Sequence, residues 1–270
     1  MKKRIYVFSD LHLNIIEDSK SETILNYLSV IVPQSASAIY LNGDIIDIIA
    51  TTPSPKGEEV IREFFRILRK LSLTGIKIYY NLGNHDLPLL LLSPKFLQES
   101  ERFNVYGNDF QYQLLKNVLI NYRTIRFMAN GKQVYMEHGH IYDIGWVIKP
   151  GWESSWDKCG SIISGLPIED GILFLWNIFG GTAEDYSARL IRTGSHLPLF
   201  VDSIRTAQTI ANKTAADIIL LGHFHSPFIG EVGNGKIYAN SGDSVQHCTF
   251  LTIDTIGIHI HDWYEGSKEI

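Results

Sequence analysis

Thiol chemistry has almost no foothold in this chain. Only Cys159 and Cys248 stand among its 270 residues, and their separation makes neither a metal motif nor a disulfide framework. That points to a reduced, cytoplasmic setting. Long apolar runs are missing too, since no stretch approaches the ~18 residues needed to span a bilayer. The basic start Met1-Lys2-Lys3-Arg4 is followed by only four apolar residues before Ser9-Asp10, too few for a secretory signal. Positive charge is equally scarce: the formal net charge is −5 and no basic cluster stands out, which argues against dedicated nucleic-acid binding. It does not argue against a phosphorylated small molecule, because bound cations invert the local charge of a site. Internal repeats and low-complexity segments are also wanting. The chain is long enough for a full core, as one domain of 1–270 carrying an insertion.

Strand and helix signals alternate through residues 1–143. Ile24, Leu25, Leu28 and Ile31 form one stripe of a helix expected over Ser21–Val32, with Pro33 closing it. Ile61, Phe64, Phe65, Leu68 and Leu71 predict a second helix over Glu58–Leu71, ended by Gly75 and preceded by a loop over Thr51–Gly57. Asn130-Gly131 and Gly233-Asn234-Gly235 read as tight hairpin turns. Residues 248–254 and 256–263 read as a final antiparallel pair. Alternation first and hairpins later predict an α/β (α+β) sandwich with mixed sheets. The stretch 144–199 differs. It holds Trp146, Trp152, Trp156 and Trp176, the apolar run Ile172–Phe179, and a capping box at Thr182 and Asp185 opening a helix through Arg192 that Gly194 would end. It reads as a helical insertion.

Five short apolar runs end directly in loops of carboxylate, imidazole or amide groups. They lead into Asp10-Leu11-His12, Gly43-Asp44-Ile45-Ile46-Asp47, Gly83-Asn84-His85-Asp86, His138-Gly139-His140 and Gly222-His223-Phe224-His225. Strands of one sheet bring their ends to one edge, so residues far apart in sequence can converge there. Mixed oxygen and nitrogen ligation without thiolate suits a pair of divalent cations. Singly, each motif has a plain reading as a cap, a turn or a surface imidazole. Gly-Asn-His-Asp and Gly-His-Phe-His are more specific, because a strand end has little structural use for such groups.

The order and spacing of all five resemble the calcineurin-like metallophosphoesterase family, from Asp10 to His225 and on through Asn240-Ser241-Gly242-Asp243. The resemblance implies a four-layer αββα sandwich of two mixed β-sheets flanked by helices, with the 144–199 insertion as a cap. It implies that Asp10, His12 and His225 hold one metal, that Asn84, His138 and His223 hold a second, and that Asp44 bridges both. Manganese is the first candidate, with iron, zinc, nickel and cobalt also fitting this ligation. A hydroxide bridging the metals would attack phosphorus, with His85 as general acid and Asp86 orienting His85 or its loop. Asp47 is expected to support the Asp44 loop, and His140 either faces solvent or serves the site from behind its ligands.

Gly-Asp-Ile-Ile-Asp, the strand end at Met136-Glu137-His138, the insertion and residues 240–249 resemble the UDP-2,3-diacylglucosamine hydrolase branch. That branch carries arginine where this chain has His85, so a relative with another substrate is an equal reading. The implied partner is a small phosphorylated molecule, nucleotide-linked or lipid-linked. The insertion could form an acyl slot, touch a membrane peripherally, or simply pack on the core. A non-catalytic protein-binding scaffold and a nuclease are the competing classes. His259 and His261 alternate with isoleucines, as in a half-buried strand with its histidines outward. His196 and His247 show no partner spacing.

Overall fold

The computed structural model describes residues 4–92, 110–142, 166–179 and 196–264. Two mixed sheets face each other. The first holds β1 (Arg4–Phe8), β2 (Ala36–Asn42), β3 (Lys77–Leu82), β4 (Phe110–Leu115), β5 (Val118–Tyr122), β11 (Thr249–Ile253) and β12 (Ile258–Asp262), in the spatial order β12-β11-β1-β2-β3-β5-β4. The second holds β6 (Thr124–Ala129), β7 (Lys132–Glu137), β8 (Ile218–Leu221), β9 (Phe228–Glu231) and β10 (Ile237–Asn240), ordered β6-β7-β8-β10-β9. β1, β2, β3 and β5 are parallel, as are β7, β8 and β10.

The two-residue period of a strand sorts its side chains between layers. Val7, Tyr40, Val134, Met136, Ile218, Leu220 and Ala239 fill the space between the sheets. Their neighbours Tyr6, Phe8, Ile39, Leu41, Ile78 and Tyr80 point the other way, against helices. Those helices are α1 (Asp18–Asn26), α2 (Val32–Ser35), α3 (Pro55–Leu73) and α4 (Ile168–Phe179). On the far side, Ile219, Leu221 and Tyr238 pack on Ala207, Ile210 and Ala211 of α5 (His196–Lys213). The result is the expected four layers.

Several local expectations need correction. Pro33 does not close the first helix. α1 starts at Asp18, passes through a π-helical turn over Tyr27–Ile31, and α2 continues to Ser35. Pro33 sits just past that π-helical turn in a helix already under way, where Val32 N already reaches back to Tyr27 O and the regular i→i−4 pattern that a proline would break is interrupted. α3 likewise starts at Pro55 rather than Glu58, with Ser54 Oγ accepting from Gly57 N at 3.1 Å, as an N-cap should. His261 is buried, not outward: it meets Thr252 Oγ1 at 2.7 Å and stacks on Phe250. The face opposite the isoleucines of β12 is covered, so alternation there separates two interiors.

Of the expected insertion, the 182–194 helix, Trp146, Trp152 and Trp156 lie outside the described residues. α4 packs on α3, and Trp176, 1% exposed, donates from Nε1 to Thr51 O at 2.8 Å. Arg62–Asp170 (2.8 Å) and Arg69–Glu169 (2.6 Å) pair the two helices along their exposed flank. No described helix is long and apolar enough to cross a membrane.

Candidate metal centre

Parallel strands end on the same edge of a sheet, and that is how this site is assembled. The loops after β1, β2 and β3 carry Asp10 and His12, Asp44 and Asp47, and Asn84 to Asp86. The loops after β7 and β8 carry His138 and His140, and His223 and His225. Backbone and amide bonds sew the edges together: Asp10 N donates to Gly43 O (2.9 Å), Asn42 Nδ2 to Glu137 O (3.0 Å), and Gly222 N to His138 O (2.9 Å). The chain turns sharply at each loop. Asp10, His12, Asp44, His223 and His225 all adopt φ between 46° and 63°, a region costly for side-chain-bearing residues and concentrated at functional sites.

Three groups of side chains that could hold a cation form among the described residues: one of them is His12, Asp47 and His85, and the other two contain the expected ligands. Asp10, His12 and His225 offer ligand atoms within 4.8 Å of one another, and so do Asp44, His138 and His223. His225 Nε2 lies 3.2 Å from Asp10 Oδ1, and His138 Nε2 lies 3.1 Å from Asp44 Oδ2 and 4.0 Å from Asp10 Oδ1. Asn84 is fully buried between Gly83, where a Cβ would collide with Asp44, and His85, whose N–H donates to Asp44 Oδ1 at 2.9 Å. Six of the seven expected ligands are therefore gathered into two adjoining buried groups, and the seventh, Asn84, is buried in the chain segment that contacts Asp44.

The cluster fits divalent cations on its own chemistry. Asp44 Oδ2, His138 Nε2 and His12 Nδ1 are buried without a well-aligned hydrogen bond; their nearest polar neighbours are one another or Asp47, at 3.1 Å for His138–Asp44 and 3.7 Å for His12–Asp47, so the contacts are ionic and leave room for a cation to engage these atoms. The carboxylates also demand positive charge. Burial alone would lower the His138 pKa, yet Asp44 and then Asp10 push it up to about 10. Burial works against ionising Asp44, but His138 and then His85 hold it well below the usual carboxylate range. A cation at that position would supply what the imidazole proton supplies here.

His85 is held by a partner the sequence reading gave to the Asp44 loop. Asp47 Oδ2 meets His85 Nδ1 at 2.7 Å and lies 3.7 Å from His12 Nδ1, while Asp47 Oδ1 accepts from Ala50 N at 2.8 Å. Asn14 braces Asp47 through its N–H (2.7 Å) and its carbonyl (2.8 Å). Burial opposes ionisation of Asp47, but the His85 charge, followed by the His12 hydrogen bond, keeps its pKa below the ordinary value. Asp86, expected to orient His85 or its loop, does only the second. Its carboxylate accepts from Gly83 N (2.6 Å), Tyr80 Oη (2.7 Å) and Ile45 N (3.1 Å). Burial first, and the Asp44 charge second, push its pKa up to about 7. Asp86 ties the Gly83 loop to the Asp44 loop because three donors converge on it, and the imidazole is left to Asp47.

His140 is not solvent-facing. It is 1% exposed, with its ring 5.5 Å from that of His138 and 6.4 Å from that of His223. A further group went without a role in the sequence: Asp243 in the loop after β10, fully buried, with Oδ2 2.5 Å from His247 Nδ1 and 3.9 Å from His225 Nδ1. The signal was present, since an Asn-Ser-Gly-Asp run after a strand repeats the pattern of the other loops. Burial opposes ionisation of Asp243, but the His247 hydrogen bond and the His225 charge bring its pKa down to about 2.

A family model described as calcineurin-like phosphoesterase matches residues 3–227, so the chain belongs to that family. No curated protein matches the sequence at a significant level. Among solved structures, Vacuolar Protein Sorting 29 from Cryptosporidium parvum is 12% identical with a TM-score of 0.44, over 98% of this chain and 94% of that one. A dimetal phosphatase from Danio rerio is 9% identical with a TM-score of 0.45, over 97% and 99%. A metallophosphoesterase from Sphaerobacter thermophilus is 13% identical with a TM-score of 0.42, over 97% and 88%. At these values the likenesses say nothing of activity.

Proposed function

We propose that this chain is a metal-dependent hydrolase of a phosphoester or pyrophosphate, working through two divalent cations. Asp10, His12 and His225 would hold one cation, Asn84, His138 and His223 the other, and Asp44 both. Two cations held there would withdraw charge from the phosphoryl oxygens and acidify the attacking water. The chain's own residues do the rest. The water forms the new bond to phosphorus, the bond to the leaving oxygen breaks, and His85 delivers a proton to that oxygen. In that step His85 acts as the imidazolium: Asp47 takes its Nδ1–H, which leaves the Nε2–H to be given to the leaving oxygen. The observation that carries this reading is the joint presence of two buried ligand groups and a carboxylate-held imidazole beside Asp44.

Manganese is the first metal to test, with iron, zinc, nickel and cobalt as alternatives. The likeness to UDP-2,3-diacylglucosamine hydrolases rests on the loop sequences and the insertion, and His85 departs from it. A pyrophosphate joined to a nucleotide or lipid is therefore one substrate class among the phosphoesters. A binding scaffold is the second reading from another class, and the filled ligand positions count against it. The net charge of −5 counts against a nuclease.

Purified protein supplied with manganese should hydrolyse nitrophenyl phosphate or bis-nitrophenyl phosphate. Asp44→Asn should abolish that turnover together with about half or more of the bound metal, and His85→Ala should lower turnover with metal retained. Wild-type turnover in both variants would show the assignment to be wrong. Protein purified without chelators and holding well under two metal equivalents would favour the scaffold.

A further inference from the structure

β10 runs parallel to β8, so its carboxyl end opens onto the same edge as the five ligand loops. The loop from Asn240 to Cys248 that follows is fastened to the first of them. Ser241 Oγ lies 2.7 Å from Ser9 Oγ, and Ser244 N donates to Asp10 O at 3.1 Å. Asp243 is the polar centre of this loop. Its Oδ1 accepts from Gln246 N at 2.6 Å, and its Oδ2 stands between His247 Nδ1 (2.5 Å) and His225 Nδ1 (3.9 Å).

The two nitrogens of His225 thus face opposite ways. Nε2 is 3.2 Å from Asp10, in the ligand group, and Nδ1 is turned to Asp243. His138 shows a closer version of this arrangement in the other group: Nε2 faces Asp44 at 3.1 Å, and Nδ1 lies within hydrogen-bond distance, 2.8 Å, of the carbonyl of Asn42. An imidazole that gives one nitrogen to a cation needs an acceptor for the N–H on the other, which fixes tautomer and ring angle. A carbonyl does this for His138.

We propose that Asp243 is the positioning residue for His225: at 3.9 Å it acts by charge rather than by a direct hydrogen bond, favouring the ring orientation with Nδ1–H towards the carboxylate and Nε2 left for the cation of the Asp10 group. His247 holds the Asp243 carboxylate from its outer side. A carboxylate in this place also adds negative charge behind a group whose own members supply only that of Asp10. This assignment rests on the two-cation reading above. The His247 side chain is 33% exposed while that of Asp243 is buried, so His247 can be changed without opening the core.

The test is calorimetric titration of metal-stripped protein with manganese chloride, alongside the electron paramagnetic resonance signal of a coupled manganese pair. Wild type should take up two equivalents and show the pair signal. Asp243→Asn should bind one equivalent unchanged and the other about 10–100-fold more weakly, with the pair signal returning at high manganese. His247→Gln should weaken the same equivalent by a smaller factor. The idea is overturned if both variants match wild type, or if Asp243→Asn weakens both equivalents alike, as a merely structural residue would. Fewer than two equivalents in wild type would instead defeat the two-cation reading itself.

Discussion

Asp47 Oδ2 and His85 Nδ1 stand 2.7 Å apart, both buried, with Asp44 accepting from the backbone N–H of that same histidine. The proposed general acid and the proposed shared metal ligand are thereby locked into one unit. A carboxylate that holds a protonated imidazole matters most when the proton it steadies is hard to deliver. Asp47→Asn should lower kcat by about 10²–10⁴-fold on an alkyl phosphoester, and far less on a nitrophenyl ester, whose leaving group needs little protonation. Metal content, read by elemental analysis, should stay at the wild-type level. Equal losses on both esters would remove Asp47 from proton delivery.

Gly83 is a test of how tightly the Asn84 loop is set against Asp44. A Cβ at Gly83 would collide with Asp44 Oδ1 and stand 2.7 Å from Asp44 N, with backbone on both sides unable to give way. Gly83→Ala should cost about 1–3 kcal/mol in thermal or urea unfolding and remove most activity. Gly257 has open space around it, so Gly257→Ala should stay within about 0.5 kcal/mol of wild type.

Trp176 decides whether the described part of the insertion belongs to the core. It is 1% exposed, joins the cluster formed by α3 and the first sheet, and holds Thr51 O. Trp176→Ala should therefore cost about 3–5 kcal/mol, which in a chain this size is on the order of ten degrees of melting temperature. A loss under about 1 kcal/mol would return its ring to a ligand slot.

Asp254 carries a pH dependence far from the site. Burial disfavours its charge, but the N–H groups of Ile256 (2.8 Å) and Gly257, and then His259 (3.4 Å), bring its pKa below the ordinary value. Arg4 Nε lies 3.6 Å away. A depressed folded-state pKa stabilises above the unfolded carboxylate pKa of about 4 and loses that contribution as pH falls through the folded value. Asp254→Asn should be less stable than wild type by about 1 kcal/mol at neutral pH, and the gap should close in acid. A gap independent of pH would contradict this.

Much of the fold was legible because strand alternation and turn residues are local signals. Asn130-Gly131 does join β6 to β7, and Gly233–Gly235 does lie between β9 and β10. The misread helix ends have a local cause too: Pro33 and Pro55 carry the same residue type that elsewhere stops a helix, yet Pro55 opens α3, where no N–H is needed, and Pro33 follows a π-helical turn that has already broken the regular bonding pattern. His261 shows the other kind of miss. Period two reports that a strand has two faces, and a layer of aromatic side chains over the second face turned outward into buried.

The residue types of the site, and their placement just after strands, were written in the chain itself, since a run of imidazoles and carboxylates has no ordinary use at a strand end. Which groups touch was decided by the tertiary structure alone. Asp86 is the chain neighbour of His85, and Asp47 is 38 positions away, yet Asp47 holds the imidazole. Adjacent residues on a turning backbone point apart, while parallel strands bring distant loops to within hydrogen-bond reach. For the same reason Asp243 found its place beside His225 only when β8 and β10 paired side by side.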